Sequence, residues 1–115
     1  MFVHFARKQE WLDAQETGEY APPDLEENKF IGCVTPKQAP SVANEQFSGQ
    51  DDLVLLWIAP NKVKAGVIYE RIGGAEVGEL YPHLYGPLNV DAAVKVDELE
   101  PWEPGQFVLP KEPSQ

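Results

Sequence analysis

The chain has 115 residues, with 9 Lys or Arg against 19 Asp or Glu, so its formal net charge is −10 and its length allows one small acidic domain but not two. Apolar residues at 43% and charged residues at 24% fit a globular protein rather than a disordered one, and the scattered basic residues disfavour DNA, RNA and anionic membrane surfaces. A single cysteine excludes an intramolecular disulfide, and two histidines leave a metal site dependent on carboxylates that no spacing motif supplies, so no metal is expected.

Residues 2–6 alternate as a short strand, and residues 7–16 follow as a helix of about three turns, with Trp11, Leu12 and Ala14 as apolar contacts and Gly18 as the stop. Basic residues come after the apolar ones in this opening segment, the wrong order for a secretory leader, and the apolar run at residues 53–60 is too short to span a bilayer. A cytoplasmic protein is the expectation. Residues 19–29, with the Pro22-Pro23 pair, read as a loop leading to a strand at residues 30–34. Thr35-Pro36-Lys37-Gln38 offers a capping hydroxyl, a proline at the first helical position and a glutamine three residues after the cap, predicting a helix to about residue 47. Pro40 conflicts with that start, so either the first turn is irregular or the helix restarts there.

Residues 53–58 are apolar on both alternating faces and too few for an ordinary helix, which predicts a central strand covered on both sides. Residues 61–66 connect to a strand at 67–72, where Ile68, Glu70 and Ile72 share one face and Glu70 falls among isoleucines. Gly73, Gly74 and Gly78 form a flexible tip, residues 80–85 are extended despite Pro82, and residues 92–96 make a last short strand. Residues 1–97 are thus one α+β domain with two helices. Residues 98–115 are acidic and proline-rich and read as a tail held at most by Trp102, Phe107 and Leu109.

Several residues carry chemistry and have two readings each. His4, on the face of Phe2 and Ala6, is either a ligand or acid–base group in a cleft or a histidine satisfied at a strand end. His83 lies in a run from Leu80 to Leu88 that holds two tyrosines, two prolines and a glycine, which suits a shaped site and equally an aromatic–proline packing cluster. Glu70 is a catalytic carboxylate whose pKa its apolar neighbours raise, or a surface partner for Lys or Arg. Thr35 is a helix cap whose neighbouring N–H groups also suit a phosphate, with Arg7, Lys8 and Lys37 as the nearby positive charges. Cys33 reads as a small buried apolar residue, and Gly73-Gly74 as a turn rather than a phosphate loop.

At Phe30-Ile31-Gly32-Cys33-Val34-Thr35-Pro36 and at Tyr81-Pro82-His83-Leu84-Tyr85-Gly86-Pro87-Leu88 the chain resembles the small family called domain of unknown function 952, over about residues 3–96. Agreement at His4, Trp11, Gly18, Tyr20, Gln38, Phe47 and Tyr69-Glu70 keeps the same order. The resemblance implies a small, split, mostly antiparallel sheet of the ADP-ribosyltransferase type, which clasps NAD or a related nucleotide-like ligand. It places His4 at the first-strand ligand position, Thr35 in the second motif, and His83 with Glu70 in the later strands. The implied pocket is lined by His4, Thr35, Glu70, His83 and Tyr85, with Arg7 nearby. In an enzyme of this type His4 and Thr35 hold a ribose or phosphate, Glu70 stabilises positive charge at the anomeric carbon, and His83 moves protons. The family usually reads Phe-Ile-His-Cys-Ser-Thr where this chain has Gly32 and Val34, so two polar side chains are missing. That loss, with the repulsion of anionic nucleotides by the net charge, favours the alternative of a non-catalytic ligand-binding or protein-interaction module. A third reading has the tail recruit a protein partner.

Overall fold

The computed structural model describes residues 1–71 and 78–114. Strand β1 (Phe2–Arg7) pairs antiparallel along its whole length with β4 (Leu53–Ile58), from Phe2 opposite Ile58 to Arg7 opposite Leu53. The other edge of β4 pairs with β8 (Ala93–Glu98), again antiparallel, with the register shifting between Trp57 and Ile58. All six residues of β4 are buried, as an uninterrupted apolar run in a middle strand requires. Alternation sends Val54, Leu56 and Ile58 into one core with Phe2, Ala6 and Trp11. Leu55 and Trp57 enter a second core on the opposite face with Val3, Phe5 and Val34.

The first face is covered by helix α1 (Lys8–Thr17) and by a second three-stranded sheet. Trp11 and Ala14 stand three residues apart on one side of α1 and are buried, whereas Leu12, expected beside them, is rotated off that stripe and 44% exposed. Gly18 ends the helix in the left-handed conformation at φ 89°, its N–H bonded to the Ala14 carbonyl at 2.8 Å. A two-residue strand β2 (Glu19–Tyr20) follows, pairing later with β7 (Leu88–Asn89). The segment expected to be a loop then contains a short helix, α2 (Pro23–Asn28). Pro23 presets its first turn and Asp24 and Glu26 favour its N-terminus, but no residue of α2 is buried, so no apolar periodicity marks it in the sequence.

The second sheet has the order β3-β6-β5, all antiparallel, from β3 (Ile31–Gly32), β6 (Tyr81–Tyr85) and β5 (Gly66–Glu70). Ile72, Gly73 and Gly74, expected at a strand end and turn, lie outside the described residues. Val3 and Val34 tie the two sheets together by exchanging N–H···O bonds of 2.8 and 2.9 Å. The capping box at Thr35 and Gln38 forms in both directions: the Thr35 N–H donates to Gln38 Oε1 at 2.9 Å, and the Gln38 N–H donates to Thr35 Oγ1 at 3.2 Å. It closes a turn, and helix α3 (Ala39–Val42) starts beyond it, continuing as a π-helical turn over Ala43–Phe47. Pro40 thereby falls in a first turn whose N–H groups have no intrahelical acceptor, which removes the conflict.

The second core is closed by α3 and by the chain after β8. Leu99, Trp102 and Leu109 pack against it, and Phe107 is buried within it. The protein is therefore a small α+β fold of mostly antiparallel sheets. No helix among the described residues is long and apolar enough to cross a membrane.

Candidate functional site

Residues opposite one another in an antiparallel pair share a face. Gly32 stands opposite His83, His83 opposite Ile68, and Glu70 opposite Tyr81, so alternation puts Glu70, Tyr81, His83 and Tyr85 on one face of the second sheet. Two of them converge on the same carboxylate oxygen: His83 Nδ1 lies 3.0 Å from Glu70 Oε1, and the Tyr85 hydroxyl donates to it as well. Because an ionised carboxylate only accepts, Nδ1 carries a proton, which leaves Nε2 as the nitrogen that can take up or give back a second one. His83 is 5% exposed, and no described residue bonds to Nε2. The Phe30 ring stacks on the imidazole, with centroids 3.9 Å apart and planes 11° from parallel.

The pKa raised by apolar neighbours, one of the two readings of Glu70, is not what this environment gives. The Tyr85 and then the His83 hydrogen bond hold its carboxyl below the ordinary range, outweighing desolvation of a side chain that is 37% exposed. The same bond to Glu70 pushes the Tyr85 phenol up. An ionised carboxylate, a neutral phenol and an oriented imidazole result.

His4 is arranged differently. Its Nδ1 lies 2.7 Å from the Gly32 carbonyl, which can only accept, and its Nε2 lies 2.9 Å from the Tyr20 hydroxyl. Burial pushes the His4 pKa down, against smaller opposing effects of the Gly32 carbonyl and Asp24, and burial pushes the Tyr20 phenol up. Neutral His4 therefore donates to Gly32 and accepts from Tyr20, with both nitrogens committed. Gly32 links the two imidazoles, since it bonds to His4 and faces His83 across the strand pair.

His4, Arg7, Glu70, His83 and Tyr85 all line one cleft of about 920 Å³. Thr35 does not: its hydroxyl and N–H are spent on the capping box, so the implied role in holding a ligand has no support from its position. Arg7 pairs with Asp52 at 3.2 Å, and Lys8 pairs with Glu98. Cys33 touches the cleft but is buried, and burial pushes its thiol up, which leaves it a small apolar residue. Tyr20 and Phe30 were not legible as site residues. Phe30 shares a face with Gly32 by strand alternation, but nothing in the spacing shows that Gly32 would face His83; for Tyr20 we find no local signal.

The lining is acidic, with Glu10, Asp24, Glu27 and Glu70 against Arg7 and Arg71. Among the described residues no three His, Cys, Asp or Glu side chains gather as metal ligands would. A carboxylate-oriented imidazole beside a phenol in a cleft is equipped to bind hydroxyl groups and to accept or return one proton.

These features define a small α+β protein with an acidic, histidine-bearing cleft between sheet and helix. The family described as Protein of unknown function (DUF952) matches residues 5–96, and the chain belongs to it. Its fold is similar to that of protein CC0527 from Caulobacter crescentus. The X-ray structure of that protein has a TM-score of 0.78 at 26% identity over 90% of each chain. Its solution NMR structure has a TM-score of 0.69 at 28% identity, over 86% of this chain and 84% of the other. Comparison with curated proteins finds no match.

Proposed function

We propose that the cleft binds an N-ribosyl ligand of the NAD and ADP-ribosyl class, its ribose set against Glu70, His83 and Tyr85. The observation that carries this reading is the convergence of His83 and Tyr85 on one Glu70 oxygen inside a cleft of about 920 Å³. Two three-stranded sheets joined at Val3 and Val34 support the ADP-ribosyltransferase-type fold that the family resemblance implies. Ionised Glu70 faces positive charge that develops at the anomeric carbon as the bond to the base nitrogen breaks with its electron pair leaving on that nitrogen. An incoming hydroxyl oxygen bonds to the same carbon, and its proton passes to His83 Nε2.

The competing reading is a non-catalytic binding or interaction module. It is favoured by His4, whose nitrogens are both engaged internally, and by the apolar Gly32 and Val34. Melting midpoints with millimolar NAD, NADP, ADP-ribose and nicotinamide riboside test binding, because a specific ligand raises the midpoint by mass action. At least one should raise it, and Glu70→Gln or Tyr85→Phe should shrink the rise. No shift with any of the four overturns the proposal. A shift without nicotinamide release over hours, followed by NMR, leaves a binding module rather than an enzyme.

A further inference from the structure

We infer, on the footing of that reading, that the cleft selects a cationic ligand without phosphates: a positively charged N-riboside rather than a dinucleotide. Three independent features point the same way.

The first is uncompensated negative charge. Glu10, Asp24 and Glu27 line the cleft and form no ion pair among the described residues. Of the two lining arginines, Arg7 is held by Asp52, and Arg71 donates its Nε–H to the Gly78 carbonyl at 3.1 Å. No lysine lines the cleft.

The second is a shortage of phosphate donors. A phosphate draws on N–H groups at a helix start, but the start of α2 beside the cleft is Pro22-Pro23, which has none, and Asp24 follows directly. At the start of α1, which also borders the cleft, the Lys8 N–H is spent on the Asp52 carbonyl at 2.7 Å and the Glu10 carboxylate sits in the first turn. The start before α3 is closed by the Thr35 and Gln38 capping box, outside the lining.

The third is an aromatic wall. Tyr20, Phe30, Tyr81 and Tyr85 line the same space as ionised Glu70, a combination that attracts an organic cation through ring faces and carboxylate together. His83, nearly buried with Nε2 unbonded by any described residue, supplies the directional contact to a ribose hydroxyl.

The test compares nicotinamide riboside with its dihydro form, which has nearly the same shape but no charge, and with ADP-ribose, by calorimetric titration of the full chain. The cation should bind at least about fivefold tighter than the dihydro form, and its affinity should fall as salt rises from about 50 to 500 mM. ADP-ribose should bind more weakly than either. Asp24→Asn combined with Glu27→Gln, at exposed positions, should weaken the cation several-fold while moving the melting midpoint of the free protein by no more than a few degrees, the effect of one first-turn charge lost from α2. Equal binding of the charged and uncharged ribosides overturns the inference. Tighter binding of ADP-ribose or NAD also overturns it while the proposed function stands, and no binding by any of these compounds overturns both.

Discussion

His4 and Gly32 show how the cleft is held at the level of single side chains. Neutral His4 bridges the Tyr20 hydroxyl on one side and the Gly32 carbonyl on the other, so it pins the strand that faces His83. Its folded pKa lies below the ordinary 6.5, and the unfolded chain therefore takes up a proton at a pH where the folded chain does not. The associated stability is complete above 6.5 and is lost as pH falls toward the folded value. Urea unfolding from about pH 7 to about pH 5 should show stability declining in the natural chain and a flatter profile in His4→Gln, which bonds but does not titrate. An unchanged slope would place the acid sensitivity elsewhere. Gly32 poses the opposite question. A Cβ there meets only Phe30 Cε1 at 4.0 Å, and the backbone is not left-handed, so the site tolerates a side chain. Gly32→His should fold with stability within about 1 kcal/mol of the parent and set a second imidazole on the face of His83. A chemical-denaturation midpoint for the variant, with its ring protons followed by NMR, checks both.

Elements differ in how openly their sequence announces them. The apolar run at β4 and the Gly18 stop of α1 are legible because burial on both faces and a left-handed cap each demand particular residue types. Strand alternation likewise made Glu70 legible as a candidate, and the run of tyrosines, prolines and glycine from Leu80 to Leu88 did so for His83. Neither could show which residues would meet, because the Glu70 pKa depends on two donors from another strand, 13 and 15 residues away. The helix α2 escaped notice because a helix with no buried face has no apolar period. Thr35 was legible as a cap, because the capping box is a local pattern of four residues. Its structural task is measurable: Thr35→Ala should cost up to about 1 kcal/mol in urea unfolding, because the Gln38 N–H loses the hydroxyl and keeps only the Thr35 carbonyl at 3.0 Å. Gln38→Ala should cost more, because Gln38 also donates to the Leu80 carbonyl at 2.9 Å and so anchors the approach to β6.

On the scale of the whole molecule, one sheet supports two cores, and the chain beyond β8 closes the second. Val3, Phe5, Leu55 and Trp57 line that face, and Phe107 covers it in edge contact with Phe5 at 5.8 Å and with Trp102 at 4.7 Å. Backbone contacts reinforce the docking, with the Leu99 N–H on the Leu53 carbonyl at 3.1 Å and the Gly49 N–H on the Trp102 carbonyl at 3.0 Å. A proline-rich composition removes ladder donors without preventing four aromatic and aliphatic anchors, Leu99, Trp102, Phe107 and Leu109, from burying area, which is why the segment reads as a tail in sequence and packs as a layer in space. If the segment is a layer, its removal must expose the second face of β4, whereas a partner-recruiting tail can be removed with the domain intact. Truncation after Glu98 should therefore abolish cooperative thermal unfolding or lower its midpoint steeply, and Phe107→Ala in the full chain should cost about 3 kcal/mol. A truncated chain that unfolds at the parent's temperature would return these residues to the role of a recruiting tail.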